Sequence, residues 1–114
     1  ERITWITGDN KAPETLDLVR QAAGELKGMV IEDSDHKLDS VRQILSLYDE
    51  FVAKDCYFVV EDTIVEFLQL PPFPGPLDAV HEYVKANAGR YVIDRSREKY
   101  IITHNPMGYL LKVS

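Results

Sequence analysis

The segment "CYFVVEDT", residues 56–63, decides how the chain is read. A nearly unbroken apolar run stops at two adjacent carboxylates, Glu61 and Asp62. Such a run, rich in β-branched and aromatic residues, reads as a strand covered on both faces by helices. A second segment, "MVIEDSDHK" at residues 29–37, repeats the arrangement: an apolar strand, then Glu32, Asp33 and Asp35, then His36.

Between these segments, Leu38, Val41, Leu45, Tyr48 and Val52 recur at helical spacing, with Arg42, Gln43 and Asp49 on the polar side. Upstream, "RITWIT" at residues 2–7 has strand composition and ends in the turn signal Gly8-Asp9-Asn10. Pro13 suits the first turn of a helix. Leu16, Val19, Ala23 and Leu26 continue that helix, and Gly28 is placed to stop it. Downstream, the proline-rich stretch "LQLPPFPGPLDAV" opens as a stiff loop, with residues 67–73 able to wall a pocket or to pack as a surface loop. A helix follows from about Pro76 to Gly89, with Leu77, Val80 and Val84 inward. "RYVIDRS" and "KYIITHN" read as an antiparallel pair of strands, and "NPMG" as a turn before the final "YLLKV". Strands alternating with helices and closed by a hairpin give an α/β fold: parallel strands, a closing antiparallel hairpin and helices on both faces.

The chain has 114 residues, enough for one domain. A net charge of −6 argues against nucleic acid as the main partner, because phosphate binding needs a basic surface. The lone Cys56 has no internal disulfide partner and fits a reducing compartment. With no membrane span and no signal-peptide pattern, the expected location is cytoplasmic. The first residue is Glu1, not Met, and a strand begins at once, as in a chain cut from something longer.

In open α/β sheets ligands bind beyond the carboxyl ends of the strands. Asp9, then Asp33 with Asp35, then Glu61 with Asp62 all fall at such ends. An acid after a strand ordinarily serves as a helix cap or loop residue. Two clusters on consecutive parallel strands differ, because neighbouring strands lie ~4.8 Å apart and their ends converge. Like charges ~4 Å apart repel by about 4 kcal/mol at an effective dielectric of 20. Either a proton or a cation relieves that repulsion, and a hard oxygen-liganded ion, Mg²⁺ above all, fits. His36 reads either as a capping or surface histidine or as a general base beside a metal-bound hydroxyl. Lys37 is a weaker candidate for that task. His81 and His104 read as structural. Asp9 and Asn10 could hydrogen-bond a base or ribose, though turn chemistry explains them equally.

The pairing of "DSDH" with "VEDT", together with "PGPLDAVHEYV" and the ending "NPMGYLLK", resembles the cephalosporin hydroxylase / rhamnosyl O-methyltransferase family. This is a branch of the class I S-adenosylmethionine-dependent methyltransferases, and the likeness runs along essentially the whole chain. The resemblance implies a Rossmann-like sheet and a Mg²⁺-dependent O-methyltransferase acting on a hydroxyl of a sugar or other small natural product. It implies Asp33, Glu61 and Asp62 as metal ligands and His36 as the catalytic base. It also implies that the Asp9-Asn10 turn borders the adenine of S-adenosylmethionine.

The family's glycine-rich cofactor loop is absent, as is the acid after the second strand that holds the ribose. The chain therefore looks like the carboxyl-terminal half of such an enzyme. In the family's sheet order, 3-2-1-4-5-7-6, "RITWIT" would be the third strand, without its neighbours. That implies a homo-oligomer or a missing amino-terminal half. Two other readings stand beside this one. One is a non-catalytic binding or regulatory remnant of the same fold. The other is a receiver-type phosphotransfer domain, which places its acidic pair after the first strand.

Overall fold

Parallel pairing of the two acid-ended strands organises the molecule. The computed structural model describes residues 2–71, 73–100 and 102–114. In chain order the elements are α1 (Pro13–Ala23), β1 (Val30–Glu32), α2 (Leu38–Tyr48), β2 (Tyr57–Val60), α3 (Ile64–Phe67), α4 (Pro76–Ala86), β3 (Tyr91–Ile93) and β4 (Tyr109–Lys112). The four-stranded sheet has the order β1-β2-β4-β3. β1 and β2 are parallel, with Glu32 opposite Val60, while β4 runs antiparallel to both β2 and β3. A mixed α/β fold is therefore confirmed. Among the described residues, no helix is long and apolar enough to cross a membrane.

The register separates the two faces of the sheet, because side chains alternate along each strand. Phe58, Val60, Leu110 and Tyr91 share one face and are at most 1% exposed. Val41, Ile44 and Leu45 of α2, with Ala79 and Val80 of α4, close over them. The bidentate pair of Arg42 with Glu82, at 2.6 and 2.7 Å, ties the two helices on their outer side. The expectation of helices on both faces is corrected. On the opposite face Ile31 and Val92 stay exposed, and Arg97 lies over the Tyr57 ring at 5.1 Å. The apolar run of β2 reflects a central position in the sheet, with α2 and α4 over the face of Phe58 and Val60 and neighbouring strands flanking Val59 on the other.

Several boundaries also differ from the sequence reading. Residues 2–7 form no strand among the described residues, and Trp5 is 88% exposed. β propensity alone cannot make a strand where no neighbour offers hydrogen bonds. α1 stops at Ala23, because Gly24 turns into the left-handed region at φ 58°. Leu26 is consequently exposed, and Gly28 instead exchanges hydrogen bonds with Phe51 and Ala53. α2 ends at Tyr48, and Val52 reaches the core through a tight turn at Asp49–Phe51.

Asp49 was expected to face water, yet it accepts from the Tyr91 hydroxyl and Arg90, both at 2.6 Å, and pairs with Lys112 at 3.2 Å. Lys112 also donates to the carbonyls of Asp49 and Val52, which terminates this helical segment. "KYIITHN" is not a strand among its described residues; Ile101 lies outside them. Its place beside β3 is taken by β4, whose Leu110 is fully buried.

Candidate metal centre

The carboxyl ends of β1 and β2 bring the two acidic turns together. Glu61 donates its N–H to the Glu32 carbonyl at 2.9 Å, continuing the parallel ladder past the strands. One step further, Asp62 enters the left-handed region at φ 53°. In the first turn His36 does the same, at φ 57°. Asp and His are among the residues that tolerate this conformation, at some cost in strain. Together the two turns aim Asp33, His36 and Asp62 at one point. One ligand-capable atom from each lies within 4.8 Å of the others.

His36 is central to this group. Its Nε2 lies 3.1 Å from Asp62 Oδ2 and 3.4 Å from Asp33 Oδ1. It is aligned as a hydrogen-bond donor to neither and is shielded from water. Asp62 is also flanked by His104, whose Nδ1 lies 3.4 Å from its other oxygen and whose side chain is 81% exposed.

Behind Asp62 stands the turn of residues 105–108. Asn105 Oδ1 accepts the Asp62 N–H at 2.9 Å, and the Thr63 hydroxyl donates to the Pro106 carbonyl at 2.6 Å. The Met107 N–H in turn donates to Glu98 at 2.8 Å. A side chain at residue 108 would collide with the Val60 carbonyl oxygen, so only glycine lets this turn press against β2.

The other acids of the two turns have separate places. Asp35 accepts from the Lys37 N–H and the Ser40 hydroxyl, and so braces the start of α2. Glu61 sits beside Asp62 in the chain, but its carboxylate is not part of the grouped set. Glu32 is only 2% exposed. Its Oε1 accepts from the Ser34 backbone and hydroxyl, while its Oε2 has no partner. Burial pushes the Glu32 carboxyl up; the Ser34 hydrogen bonds and the nearby imidazole oppose this without cancelling it.

The expected cofactor residues divide. Asn10 lines a cleft of ≈ 270 Å³ together with Glu32, Asp33, Ser34, Ile44 and Tyr48. The Tyr48 hydroxyl holds the Asn10 carbonyl at 2.9 Å. Asp9 points to solvent and receives the Lys11 N–H, which holds its carboxyl below the usual range. A second groove, of ≈ 320 Å³, is lined by Ile64, Phe67, Leu68, Tyr100, Ile102 and Pro106, among others. The loop expected to wall a pocket thus contributes through Phe67 and Leu68; Pro72 lies outside the described residues.

Sequence reasoning took His104 as structural and did not single out Asn105. Only the turn signal of "NPMG" pointed to their neighbourhood, and nothing in the spacing tied residue 105 to residue 62.

A family model described as Rhamnosyl O-methyltransferase/CmcI matches residues 1–113. The chain is 30% identical to a rhamnosyl O-methyltransferase of Mycobacterium leprae (strain TN), over 96% of this chain and 50% of that protein. It is 28% identical to rhamnosyl O-methyltransferases of Mycobacterium bovis (strain BCG / Pasteur 1173P2) and Mycobacterium tuberculosis (strain ATCC 25177 / H37Ra), over 96% of this chain and 47% of theirs. The chain thus spans about half the length of the curated relatives it matches. No solved structure matches.

Proposed function

The chain belongs to the Rhamnosyl O-methyltransferase/CmcI family, and from that premise we propose that it serves metal-assisted methyl transfer from S-adenosylmethionine to a hydroxyl. The acceptor is a small molecule, and a glycosyl hydroxyl follows from the name its relatives carry. In this reading residues 1–114 are the carboxyl-terminal, metal-holding part of a class I methyltransferase fold. The strand order supports it: β1-β2-β4-β3 coincides with the last four places, 4-5-7-6, of the sheet order that the family resemblance implies.

The observation that carries the proposal is the meeting of Asp33, His36 and Asp62 at the ends of two parallel strands. These residues suit a divalent cation. Two carboxylates and a buried nitrogen face one another without aligned hydrogen bonds, an arrangement that leaves repulsion and desolvation unrelieved. Asp33 and Asp62 would hold the ion, with Glu61 next to them as the third expected carboxylate. Such an ion, when bound, acts as a Lewis acid toward an acceptor hydroxyl.

The chain's own residues perform the remaining tasks. Asn105 fixes the direction of Asp62 through its backbone N–H. The strained turns at His36 and Asp62 orient the donor groups before any ligand arrives. The cleft beside Asn10 and Tyr48 borders the nucleoside of the methyl donor, and the open apolar groove along Phe67 and Tyr100 offers a surface for the acceptor on the other side.

The test is transfer of labelled methyl from S-adenosylmethionine to a methyl rhamnoside in the presence of a divalent ion. Label should appear on the sugar, and Asp62→Asn should reduce it by ~100-fold or more. If the ion binds and no acceptor is labelled, residues 1–114 act as the metal-holding part alone; the binding or regulatory reading is preferred only if label is still absent once an amino-terminal half of the same family is supplied.

A further inference from the structure

Each oxygen of Asp62 has an imidazole beside it. His36 lies 3.1 Å from Oδ2 and is largely enclosed, with 23% of its side chain exposed. His104 lies 3.4 Å from Oδ1 through its Nδ1, and its side chain is 81% exposed. The carboxylate thus has an inner histidine and an outer one, and the outer one stands on the open side of the centre.

The turn that carries the outer imidazole holds without it. Asn105 Oδ1 takes the Asp62 N–H, the Pro106 carbonyl takes the Thr63 hydroxyl, and the Asn105 carbonyl takes the Gly108 N–H at 3.0 Å. The Thr103 hydroxyl takes the Asn105 N–H at 3.1 Å. Beside such bonds an exposed pair of side chains adds little to stability.

The place of His104 in the chain says more. Its carbonyl accepts the Ile64 N–H at 3.1 Å, and Ile64, Ile102, Thr103 and Pro106 line the apolar groove of ≈ 320 Å³. That bond joins the wall of the groove to the rim of the metal centre, because Asp62 closely precedes Ile64 and His104 follows Thr103. A molecule lying in the groove with one end at Asp62 therefore passes the outer imidazole. Tyr100 and Ile102, both highly exposed, leave the groove open along its length.

A neutral imidazole carries one donor and one acceptor nitrogen. With Nδ1 turned to the Asp62 carboxylate, the N–H belongs there, and Nε2 is left to accept from a hydroxyl. The hydroxyl to be methylated belongs on the side of Asp62 that faces Asp33 and His36. Nε2 of His104 stands on the other side, so its partner is a second hydroxyl of the same molecule. A vicinal diol, of the kind a glycosyl ring carries, presents both.

We propose that His104 is an acceptor-binding residue: through Nε2 it accepts from the hydroxyl next to the one that is methylated, and so selects acceptors with a vicinal diol. This rests on the reading of the centre as the site of methyl transfer to a glycosyl hydroxyl.

NMR of the imidazole signals of the Mg²⁺-loaded chain, titrated with methyl rhamnoside, tests it. The His104 ring signals should shift saturably with the sugar. His104→Ala should weaken sugar binding by about 10-fold, and His104→Gln, which keeps an acceptor oxygen, by less than ~3-fold. Both should leave Mg²⁺ affinity within ~2-fold, since loss of a residue that braces a metal ligand costs ~10-fold or more there. Among the monodeoxy rhamnosides, one should bind the unaltered chain and His104→Ala equally. Circular dichroism confirms that these exposed substitutions leave the fold intact. Equal affinity of the unaltered chain and His104→Ala for methyl rhamnoside overturns the inference and leaves the acceptor reading standing. A fall of ~10-fold or more in Mg²⁺ affinity on His104→Ala makes the histidine a brace for Asp62 and also overturns it. No sugar binding by the Mg²⁺-loaded chain overturns the inference and the acceptor reading of residues 1–114 together.

Discussion

At the scale of single residues, Asp62 depends on groups far from it in sequence. Its N–H is held by Asn105, and the turn carrying Asn105 fits only because residue 108 has no side chain. Asn105→Ala should weaken ion binding by about 10-fold, as loss of a residue that orients a ligand does, and destabilise the chain by about 1 kcal/mol. Metal titration and urea denaturation check the two parts. Gly108→Ala forces the turn away from the Val60 carbonyl, and should lower stability by about 3 kcal/mol in the same urea experiment. Asp33, Asp62 and His36 were legible in the sequence, because each follows a strand whose period and composition are plain. Asn105 and the orphaned oxygen of Glu32 were not, and His104 read only as structural, because their places beside Asp62 and His36 arise from contacts across the fold.

At the scale of elements, α4 is capped from outside itself. Glu66 of α3 accepts the N–H groups of Gly75, Leu77 and Asp78, so a carboxylate sits at the positive end of the helix. Glu66→Ala should cost about 1–2 kcal/mol in thermal or urea unfolding, with little change in the metal centre. Asp49 binds the end of α2 to β3 and β4 through Tyr91, Arg90 and Lys112. Burial pushes its carboxyl up, but the three hydrogen-bond donors outweigh that and hold it below its ordinary value. A depressed native pKa means that this contribution is complete above the unfolded carboxylate value of ~3.9 and is lost as pH falls through the lower native value. Asp49→Asn should therefore cost about 2 kcal/mol at neutral pH and progressively less on acidification below pH ~4, as read from urea midpoints across pH.

Neither element was visible in advance. α3 is a single turn of helix too short to show a period. Asp49 lies past the last full turn of α2, where helical spacing no longer says which way a side chain points. The misplaced strand at residues 99–105 has the same origin. Its composition favours a strand, but β4 competes for the same neighbours and fills the core with Leu110.

At the scale of the whole molecule, one face of the sheet is covered by α2 and α4, and the other presents Ile31 and Val92 to solvent. β1 pairs only with β2, so its outer edge is open among the described residues, and Trp5 stands exposed. An apolar face beside an open strand edge invites association. Sedimentation should show concentration-dependent self-association, and Ile31→Lys should weaken it by about 10-fold without lowering the melting temperature. The alternation of strands and helices was legible, as were the parallel pair and the convergence of its acidic ends. The uncovered face was not, because a central strand and a strand sandwiched between helices share the same apolar run. The central claim, that Asp33 and Asp62 meet to hold a divalent ion, is most directly tested by anomalous diffraction at the manganese edge from crystals grown with Mn²⁺. One peak bonded to both carboxylates is the predicted result. No peak between them in well-ordered crystals at millimolar Mn²⁺ would contradict it.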